Sequence, residues 1–152
     1  MNQENKDGLQ TLEAWRKSRE FAMEIYKQII PCLPTEEKYN LASQLRRAAT
    51  SIPANIAEGY GRYYYQSNIQ FCYIARGSLE EAKSHLILAR DLGYVDETLF
   101  QEMMKKALML IQLINGYISY LRRAKHGEND SVFQKTIKEV EVPYNKSIEI
   151  DE

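Results

Sequence analysis

The sequence predicts an all-α protein, an antiparallel up-and-down four-helix bundle. Three observations lead there. Apolar residues recur every third or fourth position through four long stretches between Thr11 and Arg123, the spacing of helices that each bury one face. Nothing in that span shows the strict alternation of a half-buried strand. The breaks between stretches are short and hold Pro31, Pro34, Gly59, Gly61 and Gly93, so each helix stops abruptly and the next folds back against it. At 152 residues and 44% hydrophobic content, the chain supports one sizeable core, and two domains would be cramped. The expected organisation is a flexible N-terminus over residues 1–10, the bundle over 11–123 and a flexible acidic tail over 124–152.

In the first helix, Thr11 can supply the N-cap, and Trp15, Ser18, Ala22, Ile25 and Ile29 form the inner stripe until Pro31 and Pro34 end it. Thr35 is the next candidate N-cap, with Glu36 and Glu37 in the first turn, where carboxylates complement the helix dipole.

The second helix carries Leu41, Leu45, Ala48, Ala49, Ile52 and Ile56 on one stripe and runs through Pro53. That proline removes the hydrogen bond to the Ala49 carbonyl at a cost of about 3 kcal/mol and predicts a bend near Thr50 to Pro53. Asn55 lies at the stripe's edge, where a buried amide needs partners, and Arg47, Ser51 and Glu58 share the flanking face. The expectation is a bent helix whose polar side chains satisfy one another against a neighbour. Gly59 and Gly61 close it.

The third helix, from about Ser67 to Leu92, places Cys72, Ala75, Leu79, Ala82 and Leu86 along a seam. Gly77, Ser78 and Ala82 are small, which predicts close approach of another backbone there. Gly93 is the C-terminal cap, and Asp96 starts the fourth helix, expected to end at Arg122 and Arg123. That helix has two apolar stripes. Phe100, Met104, Ala107, Ile111, Ile114 and Ile118 form the first, with Leu99, Met103, Leu110, Tyr117 and Leu121 beside them. The second stripe suits either an interface between copies or a wide face buried within one subunit.

Two segments carry a resemblance. LRRAATSIPANIAEGYGR, from Leu45 to Arg62, joins a helical proline to Asn55, Glu58 and Gly59. IARGSLEEAKSHLILARDLGYV, from Ile74 to Val95, carries Gly77, Ser78 and Glu81 in a GS-x-x-E element. In that order they resemble the four-helix-bundle proteins encoded in intervening sequences of 23S ribosomal RNA genes. A weaker upstream match joins Trp15, Arg16 and Lys17 to Tyr26, Pro34, Glu37, Tyr39 and Leu41, so the resemblance covers Leu9 to Arg123. It implies a bundle that assembles as a ring-like homo-pentamer, with Leu99, Met103, Leu110, Tyr117 and Leu121 facing sister copies. It also implies kinship with the accessory protein of diversity-generating retroelements, which assists a reverse transcriptase and contacts nucleic acid.

Charge narrows the function. Twenty Lys plus Arg against 21 Asp plus Glu, net -1 and pI near 6.2, exclude a general electrostatic footprint for nucleic acid, so any such binding is local. Between Leu41 and Leu79 the charges are Arg46, Arg47, Arg62 and Arg76 against Glu58 alone, interleaved with Tyr60, Tyr63, Tyr64, Tyr65, Phe71 and Tyr73. Unpaired bases stack on tyrosine rings while arginines hold phosphate, so Arg46, Arg47, Arg62, Tyr63, Tyr64 and Arg76 are the candidate RNA- or DNA-binding residues. The competing reading pairs Arg47 with Glu58 and Arg76 with Glu80 and leaves the tyrosines as core or interface. A second functional reading is a structural or adaptor protein that engages a protein partner through a bundle face or the acidic tail.

Catalytic signatures are missing from the sequence. The histidines are His85 and His126, with no HExxH, no paired-cysteine motif and no glycine-rich loop after a strand. Glu58, Glu80 and Glu81 are helix-surface carboxylates that nothing singles out as an acid and base pair. A non-enzymatic protein without cofactor or metal is expected. Cys32 and Cys72 read as buried free thiols. No apolar run approaches the roughly 20 residues of a membrane span, and MNQENKDGLQ lacks a hydrophobic leader, so a cytoplasmic protein is expected.

Overall fold

In the computed structural model, residues 7–126 are described, and every extended element among them is helical. A short helix α1 (Gly8–Thr11) leads into α2 (Glu13–Glu24), followed by α3 (Leu41–Tyr60), α4 (Tyr65–Asp91) and α5 (Glu97–His126). Pro31 removes a backbone donor, and the chain leaves α2 through a π turn at Ile25–Ile29 and a 3-10 turn at Ile30–Cys32.

Three contacts fix the antiparallel register of α3 and α4: Arg47 with Glu81, Ser51 with Ser78, and Gly59 beside Asn68. On the other flank of α4, Gln66 meets Lys125, Tyr73 meets Arg122 and Arg76 meets Asn115, so α5 runs back along α4. Glu24 near the end of α2 meets Lys106 near the start of α5, which closes the square. The core is the apolar face of each helix, including Ile25, Leu45, Ile52, Leu79, Leu86 and Ile114, all fully buried.

Several boundaries differ from expectation for identifiable reasons. Thr11 does not cap α2; it closes α1 by donating to the Gly8 carbonyl at 2.7 Å, inside the segment expected to be loose. Thr35 begins a 3-10 turn; Asn40 holds the N-cap position of α3 without a side-chain bond, and Glu37 Oε2 accepts the Leu41 N–H at 3.1 Å. Asp96 does start α5, its Oδ1 taking the Leu99 N–H at 2.8 Å. Gly93, at φ +79°, caps α4, with the Tyr94 N–H on the Ala89 carbonyl. Helix α5 continues to His126, past the expected end at Arg123. The rest of the expected tail, like residues 1–6, lies outside the described residues.

Helix α3 is continuous across Pro53. The residues around the proline compensate as expected, with partners more local than the sequence suggested. Thr50 Oγ1 donates to the Arg46 carbonyl at 2.9 Å. Asn55 Nδ2 donates to the Ser51 carbonyl at 2.8 Å and to Ser51 Oγ at 2.9 Å. Ser51 Oγ lies 2.9 Å from Ser78 Oγ, and Ser78 donates to the Ile74 carbonyl at 3.1 Å. Arg47 does not reach Glu58; it pairs with Glu81 across the helices, while Glu58 takes Arg62 one turn on at 2.6 Å.

Three further expectations are corrected. Gly77 is exposed, with open space where a Cβ would be; the close backbone approach occurs at Gly59. Cys32 is exposed at the edge of its turn, whereas Cys72 is buried. Met103, Leu110 and Leu121 are buried in the subunit's own core, and Leu99 and Tyr117 are half-buried against it. The second stripe of α5 therefore serves one subunit, because α2 and α4 cover it from two sides. The outward apolar residues of α5 are Leu108, Met109 and Tyr120, each more than half exposed.

Candidate nucleic-acid interface

Helix α5 is antiparallel to α4, so its last two turns lie beside the first turns of α4. That pairing gathers charges distant in sequence. Arg122 Nη2 donates to the Tyr73 hydroxyl at 2.6 Å, and the Arg76 guanidinium sits 5.4 Å from the centre of the same ring. Arg76 Nη1 donates to Asn115 Oδ1 at 3.1 Å. Toward the start of α4, the buried Lys125 ammonium donates to Gln66 Oε1 at 2.6 Å, and Asn68 donates to the Tyr117 hydroxyl at 3.0 Å.

Burial holds the Arg76 pKa below its ordinary value. Repulsion from Arg122 lowers it further, against the attraction of Tyr73 and Glu80. Arg76 remains a cation at neutral pH, and two like charges are thus held around one aromatic ring. From Gln66 to Arg76 the strip follows α4 for about 15 Å at 1.5 Å per residue.

At the near end, the α3–α4 turn presents Tyr63 at 92% exposure and Tyr64 at 56%. Their rings pack edge to face at 5.0 Å. Arg62 leans over Phe71 with its guanidinium 4.8 Å from the ring centre, and its charge is shared with Glu58.

The six residues predicted from sequence do not form one patch. Arg76 belongs to the α4 strip and Tyr63 and Tyr64 to the turn at its head, whereas Arg62 leans over Phe71, five residues before Arg76 and so about 140° round the helix from it, on the flank that meets α3. Arg47 lies on the other flank of α4, held by Gln44 and Glu81. Glu81 and Arg76 are five residues apart, about 140° round the helix. Arg46 is half-buried on α3, one turn before Thr50, which with Pro53 lines a groove against α2. The expected Arg76–Glu80 pair does not form a salt bridge; Glu80 takes Lys83 at 3.0 Å. Sequence reasoning missed Arg122, Lys125 and Asn115 because it read the end of α5 only as cations on a helix dipole. The antiparallel order of the helices was the signal that could have placed them here.

Two other features bear on chemistry. An open groove of about 500 Å³ runs between α2 and α5, floored by Phe21 and Leu110 and rimmed by Met109, Leu113, Glu24 and Lys106. One Glu24 oxygen there accepts from Lys106 at 2.5 Å, and the other has no hydrogen-bond partner. Among the described residues, no three His, Cys, Asp or Glu side chains converge as a metal site would require, and no helix is long and apolar enough to cross a membrane.

Residues 10–116 match the 23S rRNA-intervening sequence protein family. The chain belongs to that family. A solved relative is a protein of unknown function from the S23 ribosomal protein family of Bacteroides thetaiotaomicron. It is 25% identical, with a TM-score of 0.63 over 69% of this chain and 97% of that one. No curated protein matches the chain. Within this intervening-sequence protein, the matched span contains Pro53, Asn55, Glu58, Gly59, Arg76, Gly77, Ser78 and Glu81 but stops short of Arg122 and Lys125. The basic strip therefore joins a family segment to residues beyond it.

Proposed function

We propose that this protein is a non-catalytic accessory protein that binds single-stranded or unpaired nucleic acid, RNA or DNA, along the α4–α5 strip. The observation that carries the reading is Arg76 and Arg122 held around Tyr73. Two guanidiniums gathered on one strip offer charge-assisted donors to successive phosphates. Tyr63, at the head of the strip, supplies an exposed ring on which a base stacks. The near-neutral total charge makes this binding patch-limited and salt-sensitive.

The protein works as a homo-oligomer, a pentamer by family resemblance, and repetition of the strip around a ring multiplies its affinity. Leu108, Met109 and Tyr120 and the α2–α5 groove support self-association through α5. The same face favours the second reading, an adaptor for a protein partner. The exposed, unbridged Cys32 fits a reducing, cytoplasmic setting.

Fluorescence anisotropy with a labelled single-stranded RNA tests the reading. Micromolar binding at low salt, lost in the Arg76→Gln, Arg122→Gln double variant, is expected. No binding by the native chain at micromolar concentration overturns it. Light scattering decides the stoichiometry.

A further inference from the structure

Across the bundle from the strip, where α2 packs against α3, an open groove of about 290 Å³ runs over Ala22, Met23, Thr50 and Pro53. Tyr26, 44% exposed, stands beside it. The charged residues in its lining are Arg19 and Lys27. Gly8, just before α2, meets Tyr60 at the end of α3, so the two helices run antiparallel. Arg46, one turn before Thr50 on the same face of α3, therefore lies toward the Lys27 end. Among the described residues, no carboxylate comes within ion-pair distance of Arg19, Lys27 or Arg46, unlike Lys17, Arg47, Lys83, Arg90 and Lys106, which each have one. The α2–α5 groove differs in this respect: its rim pairs Lys17 with Glu20 and Lys106 with Glu24.

We propose that the α2–α3 groove is a docking site for an acidic amphipathic helix of a protein partner, its apolar side chains on Met23 and Pro53 and its carboxylates on Arg19, Lys27 and Arg46. A rim of one sign, with no charge of its own to satisfy it, attracts the opposite sign and rejects basic segments. The floor selects a peptide over a polynucleotide. It offers bases one ring and no side-chain amide, and the Thr50 hydroxyl is already committed to the Arg46 carbonyl at 2.9 Å. Apolar side chains instead bury against Ala22, Met23 and Pro53, and the flexible Met23 thioether adapts to their shape. Arg19 and Lys27 are separated by roughly 12 Å at 1.5 Å per residue, about two turns of a docked helix, so acidic residues some seven or eight positions apart reach both. The groove shares no residue with the α4–α5 strip, and the inference does not depend on the nucleic-acid reading.

The test uses the full chain and two labelled synthetic peptides with leucine along one helical stripe, one flanked by glutamate and its twin by lysine. The glutamate peptide is expected to bind about tenfold more tightly than the lysine peptide by anisotropy. Arg19→Glu with Lys27→Glu, both at exposed positions, is expected to reverse that preference, a gain that a misfolded variant cannot give. Arg76→Gln with Arg122→Gln should leave peptide binding unchanged. Equal binding of the two peptides overturns the proposal, as does a preference that survives the charge reversal. If neither peptide binds and the reversal abolishes binding of labelled oligouridylate, the groove takes nucleic acid and the proposal falls. It falls equally if light scattering shows that the reversal breaks up an oligomer, which assigns the groove to a second copy.

Discussion

Gly59 in α3 touches Asn68 in α4. A Cβ at Gly59 would lie 2.7 Å from Asn68 Oδ1, 2.9 Å from the Phe71 Cβ and 3.0 Å from the Asn68 carbonyl oxygen. Two of those atoms belong to, or stand directly on, the α4 backbone and cannot move aside alone. Gly59→Ala is expected to destabilise the fold by about 1–3 kcal/mol through overpacking. Gly77→Ala, where a Cβ meets nothing, should stabilise by about 0.5–1 kcal/mol. Chemical denaturation of both variants checks the contrast.

The Ser51 and Ser78 hydroxyls join α3 to α4, and Ser51 Oγ also accepts from the Asn55 amide. Ser78→Ala leaves Ser51 with Asn55 and should cost about 1 kcal/mol, whereas Asn55→Ala, which strips two bonds beside Pro53, should cost about 1–2 kcal/mol. The double variant should lose less than the sum, because the two sites share one network. A double-mutant cycle by urea unfolding measures that shortfall.

Burial pushes the Cys72 thiol up from 9.0 to about 12, and burial likewise raises Tyr117, against its hydrogen bond from Asn68. For a group whose folded pKa is raised, the stability is intact below the unfolded pKa and is lost as pH rises from that value toward the folded one. Stability should therefore fall between about pH 9 and 12. A thiol reagent should label Cys32 in the native protein and reach Cys72 only on unfolding.

Tyr63 is almost wholly exposed, so Tyr63→Ala should change stability by no more than about 0.5 kcal/mol. If bases stack on it, the same change should cost about 1–3 kcal/mol in RNA affinity. Anisotropy and thermal unfolding on one preparation separate the two effects.

The buried stripes of α2 to α4 were legible because periodicity reports burial directly; Leu45, Ile52, Leu79 and Leu86 lie where the pattern put them. The motif around Pro53 was legible as a need for partners. Its partners were not, since Glu81 for Arg47 depends on the register between helices, which no single helix encodes. Likewise the width of an apolar face cannot say whether a sister copy or α2 and α4 cover it, and for that reason the resemblance alone pointed Met103 and Leu110 outward. Arg122 became visible as part of the strip only when antiparallel packing laid it against Tyr73.

The seams of the bundle are unequally fastened. Polar crosslinks tie α3 to α4 and α4 to α5, while among the described residues the polar link between α2 and α5 is the lone Lys106–Glu24 pair above an open groove. Local opening starts where the fewest contacts must break. The first helix is thus the door of this structure and the other three its frame: amide protons in α2 exchange with solvent before those of α3 and α4, and unlatching it bares a ready-made slot for another helix.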